Sequence, residues 1–240
     1  MYHHMIIMIS NYKDQTRIAY TECYDSIYLA KSFKNKFKEL KSDFPNMKFT
    51  LHHIQTDSES IKSVIDYDRY FKNVKFYYSY EFKKFKEDIH ESKKIVAADI
   101  MKYLLSRFEL TKIEVLKLTY FIYEEYAKNH ETPLFEDRIE AWDYGPVIPD
   151  VYFKLSPYYR EKIDIKDKES EKIKFDLKVA TSENKKDIME AIDNVICKYN
   201  GMEPFKLVDI THKKGGPWDI VYQKSPYGEI TFELIKLCNS

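Results

Sequence analysis

Residues 140–152 read EAWDYGPVIPDVY, and Gly145 within this stretch is the first glycine of the chain. Only five glycines occur in 240 residues. A glycine so isolated marks a backbone conformation that a Cβ would disfavour. Pro146 fixes its own φ and restricts the residue before it, so Tyr144-Gly145-Pro146 predicts a rigid turn that interrupts helical structure. Pro149 then suits the first turn of a helix containing Val151, Tyr152 and Leu155. Trp142 and Tyr144 bring large flat side chains to this corner.

The flanking segments predict helices. Ile95, Ala98, Ile100, Leu104, Leu105 and Phe108 trace one helical stripe. Thr111 and Glu114 then match a capping box, in which hydroxyl and carboxylate reciprocally satisfy unpaired amides at a helix start. That helix runs through Val115, Leu118, Ile122 and Tyr126 to about Asn129, and Pro133 ends any continuation. KIKFDLKV, residues 172–179, alternates as a strand would, with a helix as the alternative. Ile188, Ile192, Val195 and Ile196 form another stripe, with Gly201 placed as a C-cap. FKLVDITHKKGGPW and GEITFELIKL supply two more short helices around a Gly-Gly-Pro turn. Trp218 follows that turn, so both tryptophans of the chain lie beside Gly-Pro pairs.

Upstream the pattern changes. MIIMIS and RIAYTECY suit strands, Leu29, Phe33, Phe37 and Leu40 share one helical face, and KFTLHHI restores a strand. The predicted order is β-β-α-β, with a turn around Lys13 to Gln15. Residues 60–91 are polar, aromatic and free of Gly and Pro, and predict helical structure joining two units. The fold class is therefore α+β, with a small accessory α/β domain over 1–90 and a mainly helical domain with short strands over 91–240.

Composition narrows the function. Hydrophobic residues are 44% and charged residues 32%, the balance of a folded globular chain. The 39 basic and 39 acidic residues cancel and are spread evenly, so attraction to nucleic acid or an anionic membrane gains no support. In KSFKNKFKEL the lysines alternate with phenylalanines, as on the solvated face of an amphipathic helix; a phosphate-binding patch is the alternative. The 21 tyrosines fit an AT-rich coding bias. Three dispersed cysteines suit a reducing compartment, and the apolar run Met5–Ile9 is too short for a secretory or membrane segment, so a cytoplasmic location is expected.

Catalytic and metal signatures are sparse. His52 and His53 are adjacent on a predicted strand and face opposite sides, so they cannot jointly hold one metal. Nucleotide loops and HExxH are absent, and no cofactor is implied. Asp209 lies one helical turn before His212 and could orient its imidazole as a base, or the pair could terminate a helix. The aromatic turns admit two readings: core packing at helix corners, or anchors for another protein.

Several blocks in fixed order resemble the Panacea domain of SocA-like, phage-associated bacterial antitoxins. They are AADIMKYLLSR, LTKIEVLKLTYFIYEEYAKNHETPLFEDRIEAWDYGPVIPDVY and LVDITHKKGGPW, spanning roughly residues 92 to 235 with Ile230. The resemblance implies a non-enzymatic, cofactor-free member of a toxin–antitoxin system. Such a protein binds a cognate protein toxin or, in some members, delivers it to a cellular protease. The residues expected to hold the partner are Trp142, Tyr144, Gly145, Pro146, His212 and Trp218. The competing readings are a phage-associated protein that binds a host factor, and a hydrolase-like enzyme using Asp209 and His212 with a nucleophile or a metal recruited by His52.

Overall fold

The computed structural model describes residues 1–10 and 17–239. The turn expected at residues 13–15 lies outside them. The chain divides into two compact units, Met1–Lys94 and Ile95–Ser240.

The first unit contains β1 (Tyr2–Ser10), β2 (Arg17–Tyr24), α1 (Lys31–Asp43), β3 (Thr50–Thr56), α2 (Ile61–Tyr67), β4 (Val74–Tyr77) and α3 (Phe82–Lys93). Its sheet order is β3-β1-β2-β4, antiparallel except for the parallel pair β2–β4. Pairing of Ile7 with Tyr20 and Ile9 with Ile18 aligns one apolar face, which packs with Phe33 and Leu40 of α1 and Phe85 and Ile89 of α3. Met8 opposite Ala19 supplies the other face, which meets Val64 of α2 and Phe71. Burial on both faces explains the uninterrupted apolar run of β1. The β-β-α-β order holds, but the reading of 60–91 as helical is corrected at VKFY, which forms β4. Four residues are too few for periodicity to separate strand from helix.

A buried carboxylate ties this sheet to α1. Glu22 accepts hydrogen bonds from the Tyr20 and Tyr24 hydroxyls and from Lys36 Nζ at 2.9 Å. Burial alone would raise its pKa, yet these donors outweigh that cost and hold it below the usual glutamate value. Glu22→Ala leaves an ammonium and two phenols without their acceptor. The expected loss is about 2–3 kcal/mol, discounted because Lys36 is partly solvated, and it is read by urea denaturation of the full chain. Unchanged stability would contradict the assignment.

The second unit is built around a central helix. It contains α4 (Ala97–Arg107), α5 (Lys112–Ala127), β5 (Glu140–Trp142), β6 (Gly145–Val147), α6 (Pro149–Lys154), α7 (Lys168–Ala180), α8 (Lys185–Tyr199), α9 (Pro204–Thr211), α10 (Pro217–Lys224) and α11 (Phe232–Asn239). The capping box is formed: Glu114 Oε2 accepts from the Thr111 amide at 2.7 Å, and Thr111 Oγ1 accepts from the Glu114 amide at 3.4 Å. Helix α5 is buried on every side from Val115 to Tyr123, because α4, α6, α8, α9, α11 and β6 all pack on it.

KIKFDLKV is a helix, not a strand. In α7 only Phe175, Lys178 and Val179 are buried, at helical spacing, while Ile173 and Leu177 stay 46% and 47% exposed. Lys178 Nζ reaches Asp99 of α4 at 2.6 Å, a pairing that the alternating pattern could not reveal. The C-terminal part holds a third short helix beyond the two expected, since the Gly-Gly-Pro turn leads directly into α10 with Pro217 in its first turn. Among the described residues, no helix is long and apolar enough to cross a membrane.

Candidate functional site

The hairpin β5–β6 carries the turn. Asp143 and Tyr144 connect Trp142 to its register partner Gly145, which adopts φ +93°, a conformation that L side chains rarely take. The third side of the ribbon is the segment before α11. The Ala141 amide donates to Gly228 O at 2.9 Å, the Tyr227 amide to Ala141 O at 2.7 Å, and the Ile230 amide to Ile139 O at 2.8 Å.

The two Gly-Pro turns converge. Trp218 Nε1 donates to the carbonyl of Trp142 at 2.8 Å, joining the start of α10 to the end of β5. His212, just past α9, stacks on Trp218 with ring centroids 3.8 Å apart, and Trp218 stacks on Tyr222 at 4.7 Å. The Trp142 indole donates to Glu140 at 2.8 Å, and its ring meets Tyr152 at 4.8 Å and Tyr227 at 5.8 Å.

Beneath the turn lies a buried cation. Lys117, only 2% exposed on α5, donates from Nζ to Pro146 O at 2.9 Å, and no carboxylate pairs with it among the described residues. Burial pulls its pKa down to about 7. A Cβ on Gly145 would lie 2.3 Å from Thr211 Oγ1 and 2.8 Å from Lys117 Nζ, so the absent side chain is what admits both groups. The His212 pKa is lowered, chiefly by burial and next by Lys117, against weaker opposite pulls from Asp209 and Asp219.

Of the six residues expected at the site, Trp142, Gly145, Pro146, His212 and Trp218 are brought together. Gly145, Pro146 and Trp218 are buried, Trp142 is half-buried, and Tyr144 is 64% exposed. The turns thus serve both as core and as a surface. Asp209 contacts His212 through the backbone, the His212 amide donating to Asp209 O at 3.1 Å, while His212 Nε2 is buried with no hydrogen-bond partner among the described residues. His52 belongs to the first unit, against Tyr70 and Phe71, and no group of three metal-binding side chains occurs among the described residues. Lys117, Thr211, Asp143, Tyr222 and Tyr227 were not expected at the site. Lys117 alone carried a signal, as a charge set on the apolar stripe of Ile113, Lys117 and Phe121.

Residues 115–219 match the family described as "Antitoxin SocA-like, Panacea domain". The chain is also similar to Antitoxin SocA of Caulobacter vibrioides, with 32% identity over 116 residues, covering 47% of this chain and 60% of that relative. The match therefore spans less than two thirds of the relative's length. No solved structure matches the chain.

Proposed function

We propose, from the match of residues 115–219 to the SocA-like Panacea domain, that this protein is an antitoxin that neutralises a protein toxin by binding it. The match to that domain carries the reading. The geometry supports it: two turns joined by the Trp218–Trp142 hydrogen bond form one rigid support, from which Tyr144 stands exposed. An exposed aromatic on a preorganised turn is suited to anchoring a partner at small entropic cost. On this reading the protein acts as a binding module; among the described residues Asp209 meets His212 through the backbone, and His212 Nε2 has no hydrogen-bond partner. Its balanced charge offers no general attraction to nucleic acid. The N-terminal unit adds contacts or selects the toxin.

The test is titration calorimetry of the purified full chain against the product of the adjacent open reading frame. Tyr144→Ala is expected to weaken that complex by about 2 kcal/mol, roughly 30-fold, with the melting temperature unchanged because the ring is exposed. Binding as tight as wild type would remove Tyr144 from the interface. Sequestration leaves toxin abundance in cells unchanged; delivery to a protease lowers it, and deleting that protease restores it.

A further inference from the structure

Asp143 is the exposed carboxylate of the β5–β6 turn, and it is held in an unusual way. Tyr222 donates its hydroxyl to Oδ1 at 2.9 Å, and Tyr227 donates to the same oxygen at 3.3 Å, lying 3.4 Å from Oδ2. No Lys or Arg pairs with Asp143 among the described residues. Two neutral phenols orient the carboxylate but leave its charge intact, with lone pairs of both oxygens still available.

The surroundings are aromatic. Tyr227 is 53% exposed and sits at φ +65°, a conformation costly for a bulky side chain. The hydrogen bond that its amide donates to Ala141 O holds it there, and the result is a ring set edge-on to Trp142 with its hydroxyl on Asp143. Tyr222 and Tyr227 therefore hold an oriented carboxylate beside the Trp142 ring, with exposed Tyr144 next in the turn and the nearby Glu140 carboxylate already paired with Arg138.

The geometry points to Asp143 as the receptor for an arginine side chain of the protein partner. A guanidinium fits on three counts. Its planar fork matches a carboxylate, its face stacks on Trp and Tyr rings, and its weak hydration lowers the cost of entering an aromatic rim. A lysine would satisfy the charge but not the stacking. The partner's identity as a toxin rests on the antitoxin reading above; the chemistry of the receptor does not.

The decisive experiment uses the full chain labelled with 15N, titrated with N-acetyl-arginine amide or its neutral isostere N-acetyl-citrulline amide. The Trp142 Nε1–H resonance is the reporter. Arginine is expected to shift it saturably and citrulline not, with binding weakening as salt rises. Asp143→Asn keeps an acceptor for both phenols and should weaken arginine binding ~10-fold or more. An equal response to citrulline, an unchanged response in Asp143→Asn, or no shift with arginine would each overturn the assignment. A second arm scores toxin neutralisation by Asp143→Arg. Neutralisation by wild type but not by Asp143→Arg supports the receptor, and equal neutralisation by both overturns it while leaving the antitoxin reading in place. Failure of wild type to neutralise sinks the antitoxin reading, and the arginine titration still decides the receptor.

Discussion

Gly145→Ala is expected to destabilise the second unit by about 2–5 kcal/mol. Two costs add. An L side chain at φ +93° pays about 1–2 kcal/mol in local strain. The new Cβ must also displace Thr211 Oγ1 at 2.3 Å and Lys117 Nζ at 2.8 Å, and overpacking of that kind costs about 1–3 kcal/mol. Gly201→Ala separates the two costs, because Gly201 has φ +78° and nothing within 4 Å of its would-be Cβ. It should lose only the strain. Thr211→Ala combined with Gly145→Ala should recover part of the contact cost, giving a coupling that a double-mutant cycle measures. Equal losses in Gly145→Ala and Gly201→Ala would show that the close approach of turn and helix carries no energy.

Stability should rise with pH above neutrality, with Lys117 as the source. In the unfolded chain this lysine keeps its proton up to its ordinary pKa of 10.5, whereas in the folded protein it holds it only below about 7. Between those values the unfolded state binds more protons, so unfolding free energy increases with pH, by up to ~1.4 kcal/mol per unit. Below about pH 7 both states are charged, the full cost of burying the ammonium is present, and the slope from Lys117 vanishes. His212, whose pKa is also lowered, adds a loss of stability as pH falls below 6.5. Above about pH 10 the buried phenols reverse the trend. Tyr120 keeps its proton when folded and loses it when unfolded, so stability falls again. Urea denaturation at pH 7, 8 and 9 reads the window directly. Lys117→Met should flatten it, and at pH 6 should be as stable as wild type or more so, since an apolar isostere removes a buried charge at the cost of one unpaired carbonyl. Superimposable pH profiles for the two proteins would refute the assignment.

The local rules that operate within a few residues were readable in the sequence. Thr111 and Glu114 announced the start of α5, and the stripe through Val115, Leu118 and Ile122 traced its buried length. Gly145 announced its positive φ by being the first glycine of the chain. What escaped depends on contacts distant in sequence. Strand β4 exists because Val74–Tyr77 finds β2, and α7 turns Phe175 and Val179 into the core against α4, where Phe175 meets Tyr103 and Lys178 reaches Asp99. The site divides in the same way. The turns and their tryptophans were visible as motifs. Their union through the Trp218–Trp142 bond, the cation beneath and the phenols around Asp143 were not, because each joins residues far apart along the chain.

Growth of cells expressing the adjacent open reading frame, alone and together with this protein, tests the central claim most directly. The account predicts arrest by the neighbour alone and recovery on co-expression of the full chain, with recovery reduced by Tyr144→Ala. Arrest that persists despite a folded, expressed chain would contradict it.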